Sequence, residues 1–177
     1  MLLVQAMDEG ALLAQGIHHI GMRETNTTLT TSLIELSDEL LRSILTEYIK
    51  GSIVPYEQSE QGPEGMILTP SYSHKLTKED GILDFTKTAD VLEREVRAYN
   101  EWPRSRTLIG DVEITITAAH ADVRDENRGA YFTTTEGALA FSCADQTALI
   151  IDCLKPSGKK EMTSQEFLRG YGHRLEL

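Results

Sequence analysis

Cysteine is almost absent from this chain of 177 residues, with Cys143 and Cys153 the only two. That count excludes a disulfide framework and a four-thiolate metal site, and leaves two reduced thiols inside apolar, strand-like runs as the expectation. Long hydrophobic runs are missing too. No stretch approaches the ~18 apolar residues that span a bilayer, and the amino terminus lacks the basic and apolar regions of an export signal, so a cytoplasmic protein is expected. Positive charge is scarce. Against 28 Asp and Glu stand 17 Lys and Arg, a formal net charge of −11, which argues against a general binder of polyanions. The histidines, His18, His19, His74, His120 and His173, fall at no metal-ligand spacing. Nor is there a phosphate-cradling glycine loop or a serine or cysteine nucleophile motif. No metal is expected.

What is present is unevenly placed. Up to Thr69 the chain holds 3 basic and 10 acidic residues, whereas the remainder holds 14 and 18. A local basic strip on an acidic protein still binds nucleic acid, with modest and salt-sensitive affinity. The richest candidate is Leu154-Lys-Pro-Ser-Gly-Lys-Lys-Glu-Met-Thr-Ser-Gln-Glu-Phe-Leu-Arg-Gly170. It closes a strand, turns at Gly158, presents Lys159 and Lys160 side by side, and opens a helix through a capping box of Thr163 and Glu166. Such a loop suits a phosphate backbone.

The rest of the chain divides by pattern. Leu2–Ala6 and Ala11–Ile20 read as extended segments around an Asp8-Glu9-Gly10 turn. Leu29, Leu33, Leu36, Leu40, Ile44 and Tyr48 recur at three- and four-residue steps and predict a helix from about Leu29 to Lys50, capped by Thr28 and ended by Gly51. Residues 52 to 74 turn to Pro, Gly, Gln, Ser and Glu and read as a linker, with Met66-Ile67-Leu68 a brief extended patch. A second helix, about Ala89 to Asn100, follows a cap at Thr88 and carries Ala89, Leu92, Val96 and Tyr99 on one face; Pro103 enforces its end. Thr107–Ile109, Val112–Ala118, Ala130–Thr134, Leu139–Cys143 and Ala148–Leu154 then read as short strands separated by polar turns. Short strands in that number suggest a small barrel.

Four spaced motifs in order give these elements a family. They are Tyr72-Ser-His-Lys-Leu-Thr-Lys-Glu-Asp80, the Asp84-Phe85 pair before a helix, the helix end Arg97-Ala-Tyr-Asn-Glu-Trp-Pro103, and Pro156-Ser-Gly-Lys-Lys-Glu-Met-Thr-Ser-Gln-Glu-Phe-Leu-Arg-Gly170. Together they resemble the carboxy-terminal portion of methionyl-tRNA formyltransferase. Departures fall at Glu101, often proline in that family, and at Arg104 and Ser105, where a small pair is usual.

The resemblance implies an α/β remnant, the end of a formyltransferase Rossmann-like domain, at residues 1–51. It implies a linker at 52–74 and an oligonucleotide-binding-type β-barrel domain with flanking helices at 75–177. The implied reaction moves a formyl group from 10-formyltetrahydrofolate to the amino group of methionyl-initiator tRNA, assisted by an Asn, His, Asp trio. Of these only the aspartate has a match here, Asp8, in Met7-Asp-Glu-Gly-Ala-Leu-Leu-Ala-Gln15. A truncated chain, inactive alone, is therefore expected, with an open strand edge in residues 1–50 prone to self-association. The implied tRNA contacts are Lys75, Lys78, Lys159 and Lys160. Arg94, Arg97, Arg104 and Arg106 would extend the strip or serve as ion-paired surface residues. Trp102 is expected to pack between helix and barrel. A stand-alone nucleic-acid-binding module and a fragment of another folate-dependent formyltransferase are the alternatives.

Overall fold

The computed structural model describes residues 1–58, 71–123 and 129–175. Two compact units emerge, Met1–Met22 with Thr28–His74, and Arg23–Thr27 with Lys75–Leu177.

In the first unit the helix arrives as its periodicity demands, α1 spanning Asn26–Ile49. No residue of α1 is fully buried. Leu29, Leu36, Leu40, Ile44 and Tyr48 are half-buried, while Leu33 of the same stripe is exposed. Leu36 and Leu40 lie against Gly16, so an extended stretch of backbone takes the place a sheet was expected to fill. The two strands expected over residues 2–20 do not form. A strand exists only as a pairing, and the described residues supply little: Leu2 N–H donates to the Ala11 carbonyl, and Leu12 forms a lone antiparallel bridge with Tyr56. Among the described residues the open strand edge invoked for self-association is therefore not formed. Of the linker, residues 59–70, including Met66-Ile67-Leu68, lie outside the described residues.

The second unit is an antiparallel sheet closed over by helices. Its strands are β1 (Ser105–Ile109), β2 (Val112–Val123), β3 (Tyr131–Thr133), β4 (Leu139–Ser142), β5 (Thr147–Pro156) and β6 (Met162–Thr163). They pair in the order β1-β2-β5-β4-β3, with β6 added to β5. The β2–β5 register slips between Ile116 and Ala119, and such a bulge bends a strand and raises its twist. Helices α2 (Ala89–Ala98) and α3 (Ser164–Tyr171) supply the apolar faces that bury the sheet. Leu92 and Val96 of α2, Ile114 and Ile116 of β2, Leu149, Ile151 and Leu154 of β5, and Phe167 of α3 form one core. The Asp84-Phe85 motif is structural at both positions. Asp84 accepts the Thr86 N–H at 3.0 Å and hydroxyl at 2.7 Å, and Phe85 stacks on Phe141 with ring centroids 4.6 Å apart. On the opposite face Ala138, Ala140, Ala148 and Ile150 make a smaller cluster with Phe132.

Helix caps follow the sequence unequally. Thr88 occupies the N-cap of α2 without a side-chain bond, and the Thr147 hydroxyl from β5 accepts the first helical N–H, that of Ala89, at 2.9 Å. At α3 the capping box is complete: Thr163 accepts the Glu166 N–H, and the Glu166 carboxylate accepts the Thr163 N–H at 2.8 Å. Those bonds hold the Glu166 carboxyl below its ordinary range. A carboxyl depressed in the fold stabilises it above the unfolded pKa of about 4.3, and that contribution fades as pH falls through the folded value. Thr163→Ala is expected to cost about 1 kcal/mol at pH 7. Urea titrations should show the stabilities of the chain and of Glu166→Gln converging only below about pH 4.3.

Trp102 departs from expectation. It is 51% exposed, whereas Pro103 is buried. Trp102 lies past Ala98, the last residue of α2, and so past the face that carries Leu92 and Val96 inward.

Candidate functional site

The basic loop begins where β5 runs out. Ser157 N–H donates to the Glu113 carbonyl and Lys159 N–H to the Pro156 carbonyl, each at 3.0 Å, closing a tight turn around Gly158 at φ +71°. That left-handed conformation is open to glycine and strained for most other residues. The turn leaves Lys159 and Lys160 exposed and adjacent. Short β6 and the capped start of α3 anchor the far side.

Beside this loop is a cleft of about 540 Å³ lined by Asn100, Arg104, Thr117, Lys155, Lys159, Lys160 and Glu161. Four cations therefore face one carboxylate, on a chain whose net charge is −11. Arg104 follows Pro103 at φ +68°. Its N–H donates to the Tyr99 carbonyl at 3.1 Å and its Nε–H to the Glu101 carbonyl at 3.2 Å. Asn100 Nδ2 donates to Thr27 Oγ1, which donates to Glu101 Oε1, each at 3.0 Å, and this relay fixes the amide orientation. Asn100 Oδ1 and Thr117 Oγ1 are buried without a hydrogen-bond partner among the described residues.

The other two candidate lysines sit on a separate segment. Lys75 and Lys78 are exposed and do not line the cleft. Their stretch is shaped by Asp80, which accepts the Thr77 N–H at 2.6 Å. It is held to β1 by Arg106, whose Nη2 donates to the Lys78 carbonyl at 2.9 Å. Gly81 permits the close approach. A Cβ there would stand 2.3 Å from the Arg104 carbonyl oxygen, so Gly81→Ala is expected to cost about 1–3 kcal/mol in a denaturation titration. The arginines separate by environment. Arg97 makes a two-pronged pair with Glu93 and also donates to the Glu24 carbonyl; Arg106 braces backbone; Arg94 is exposed; Arg104 enters the cleft. Lys155, Asn100 and Thr117 were not singled out from the sequence. Lys155 had a signal, since it alternates outward between buried Leu154 and Pro156.

Asp8 belongs to the first unit. It takes φ +59° in its turn, as short polar side chains tolerate. Gln58 Nε2 donates to the carbonyls of Asp8 at 2.7 Å and Gly10 at 2.9 Å, alongside the Leu12–Tyr56 bridge. The surrounding cleft of about 540 Å³ is lined by Met7, Asp8, Glu9, Glu57, Gln58, Ser71, Tyr72 and Ser73. It offers carboxylates, and among the described residues neither histidine nor asparagine lines it. A pair unforeseen in the sequence, His120 Nδ1 with both Asp152 carboxylate oxygens at 3.0 and 3.1 Å, spans β2 and β5 at the surface.

Comparison with known proteins places this geometry. Residues 75–172 match the formyl transferase C-terminal domain family. Curated relatives named methionyl-tRNA formyltransferase include those of Myxococcus xanthus, 32% identical over 97% of this chain and 52% of theirs, and Enterococcus faecalis, 31% identical over 99% and 54%. The chain thus spans about half the length of the curated relatives it matches. Among solved structures, a HypX variant from Aquifex aeolicus aligns at TM-score 0.63 and 14% identity, over 97% of this chain and 30% of that one. An N-formyltransferase from Helicobacter canadensis, solved with folinic acid and dTDP-3-aminofucose, aligns at 0.61 and 14%, over 84% and 52%. At that identity the likeness is one of fold. With its antiparallel sheet, flanking helices and terminal Lys-Lys loop inside the matched range, the chain belongs to the family of formyl transferases that carry this C-terminal domain.

Proposed function

We propose that this chain is the tRNA-holding portion of a methionyl-tRNA formyltransferase, acting in translation initiation in the cytoplasm. The observation that carries the reading is the basic cleft built from Lys159 and Lys160 inside the matched domain, on an otherwise acidic protein. Lys159 and Lys160 would take backbone phosphates there, and Lys75 and Lys78 would take others from the segment that opens the domain. On this reading residues 75–177 form an oligonucleotide-binding-type barrel, 52–74 the linker, and 1–51 the end of the catalytic domain. No helix among the described residues is long and apolar enough to cross a membrane.

Asp8 would be the aspartate of the catalytic trio, orienting an imidazole that takes the proton from the attacking amine. Gln58 would hold its turn in register through the Asp8 and Gly10 carbonyls. The formyl donor, 10-formyltetrahydrofolate, does not fit the residues present. The cleft around Asp8 holds Asp8, Glu9 and Glu57 with no histidine, asparagine or cation among its described lining residues, a poor fit to a reacting centre that needs a base and a donor beside the formyl group, so no step is assigned to it here.

Two measurements test the proposal. Titrating labelled initiator tRNA with the purified chain at low salt should give saturable binding that weakens steeply as salt is added. Incubating the chain with formyl donor and methionylated tRNA should give no formyl-methionine above background, because Asp8 lacks its partners. Failure to bind tRNA overturns the first claim, and chain-dependent product overturns the second.

A further inference from the structure

We infer that Arg104 and Lys155 join Lys159 and Lys160 in a single anion site that takes a ribose-phosphate unit of RNA, with Asn100 and Thr117 in its wall. The inference rests on the tRNA-binding reading above and gives that reading an address and a discrimination between RNA and DNA.

The charge of the cleft sets its ligand class. Arg104, Lys155, Lys159 and Lys160 converge on one opening of about 540 Å³, and Glu161 is the sole acid among its lining residues. A phosphodiester outweighs the repulsion from Glu161 by meeting several cations at once, and arginine adds a planar fork that lysine lacks.

Arg104 itself is the second observation. At φ +68° the backbone favours glycine, and the corner is held by a main-chain bond from Arg104 N–H to the Tyr99 carbonyl. Glycine would serve the fold there. Among the described residues the guanidinium makes one bond, from Nε to the Glu101 carbonyl, so its terminal nitrogens are spare donors at the rim. A long cation stands where the backbone prefers no side chain, and the cleft gives it something to do.

The wall supplies the third. Asn100 Oδ1 and Thr117 Oγ1 are buried and unpartnered among the described residues, a state that folded proteins seldom leave uncompensated. Both are closed off from solvent, so a ligand reaches them by displacing rim side chains. A ribose hydroxyl offers the donor that Asn100 Oδ1 lacks and both roles that the Thr117 hydroxyl accommodates, whereas deoxyribose lacks the 2′-hydroxyl.

Fluorescence anisotropy with the full chain, initiator tRNA and a DNA oligonucleotide of the same sequence tests this. Arg104→Gly should weaken tRNA binding about 8-fold at 0.1 M salt and lower the salt slope by about 1, the signature of one phosphate left without its cation. Its thermal midpoint should stay at or above that of the parent chain. Lys155→Ala, at an exposed strand position, should do the same to affinity. Thr117→Val should narrow the preference for tRNA over DNA and leave DNA affinity unchanged. Binding of tRNA that Arg104→Gly and Lys155→Ala both leave intact overturns this inference alone. Equal affinity of the parent chain for the two polymers overturns the ribose assignment, and no tRNA binding at all overturns this site together with the reading beneath it.

Discussion

Phe167→Ala is expected to strip about 3–5 kcal/mol from the unit that begins at Lys75, a large share of the ~5–15 kcal/mol a domain of that size has to lose. Phe167 is fully buried, stacks on Tyr171 with centroids 4.8 Å apart, and sits in the core with Leu154 and Leu149 of β5. It is the principal apolar anchor by which α3 grips the sheet. Losing it removes the transfer free energy of a large aromatic and leaves a cavity that fixed strands cannot fill. The midpoint of urea unfolding should fall while the slope with denaturant stays constant, since the surface exposed on unfolding is unchanged. Phe167→Leu, which keeps most of the volume, should cost less than about 1.5 kcal/mol. Equal losses for the two variants would mean that α3 docks by something other than packing. The consequence reaches the basic loop, because β6 and α3 tether the far side of Lys159 and Lys160.

That dependence shows how much could be read in advance. Local chemistry was legible. Gly158 at a left-handed turn and Thr163 with Glu166 as a reciprocal cap are decided by neighbours in sequence, and each lies where its residue types required. Pairing was not legible. Residues 2–20 have strand-like composition, yet a strand needs an adjacent backbone, and among the described residues only Leu12 forms a bridge, with Tyr56. The same limit hid the cleft. Lys159 and Lys160 announced themselves, but Arg104 lies over fifty residues away in sequence and Thr117 on another strand, and only the sheet and the Pro103 corner bring them together. Trp102 misled because aromatic size argues for burial on average, whereas its position past the end of α2 decides the individual case.

Lys159→Ala with Lys160→Ala should then show what the cleft is for. Each phosphate that forfeits its lysine lowers the slope of log affinity against log salt by about 0.9, so removing both lysines lowers it by about 1.8 and weakens tRNA binding roughly 60-fold at 0.1 M salt. Stability should move by less than about 0.5 kcal/mol, because both side chains are exposed and truncating exposed residues rarely costs more. Affinity and stability thus separate, opposite to the pattern expected of Phe167→Ala. Lys75→Ala with Lys78→Ala is the internal comparison. These lysines lie on the segment braced by Arg106, outside the cleft, so their removal should add to that of the loop pair if both segments meet tRNA. Groups that share no partner contribute independently. A combined variant no weaker than the loop double variant would leave Lys75 and Lys78 as solvated surface. A loop variant that binds as tightly as the parent, with an unchanged salt slope, would remove the cleft from tRNA recognition.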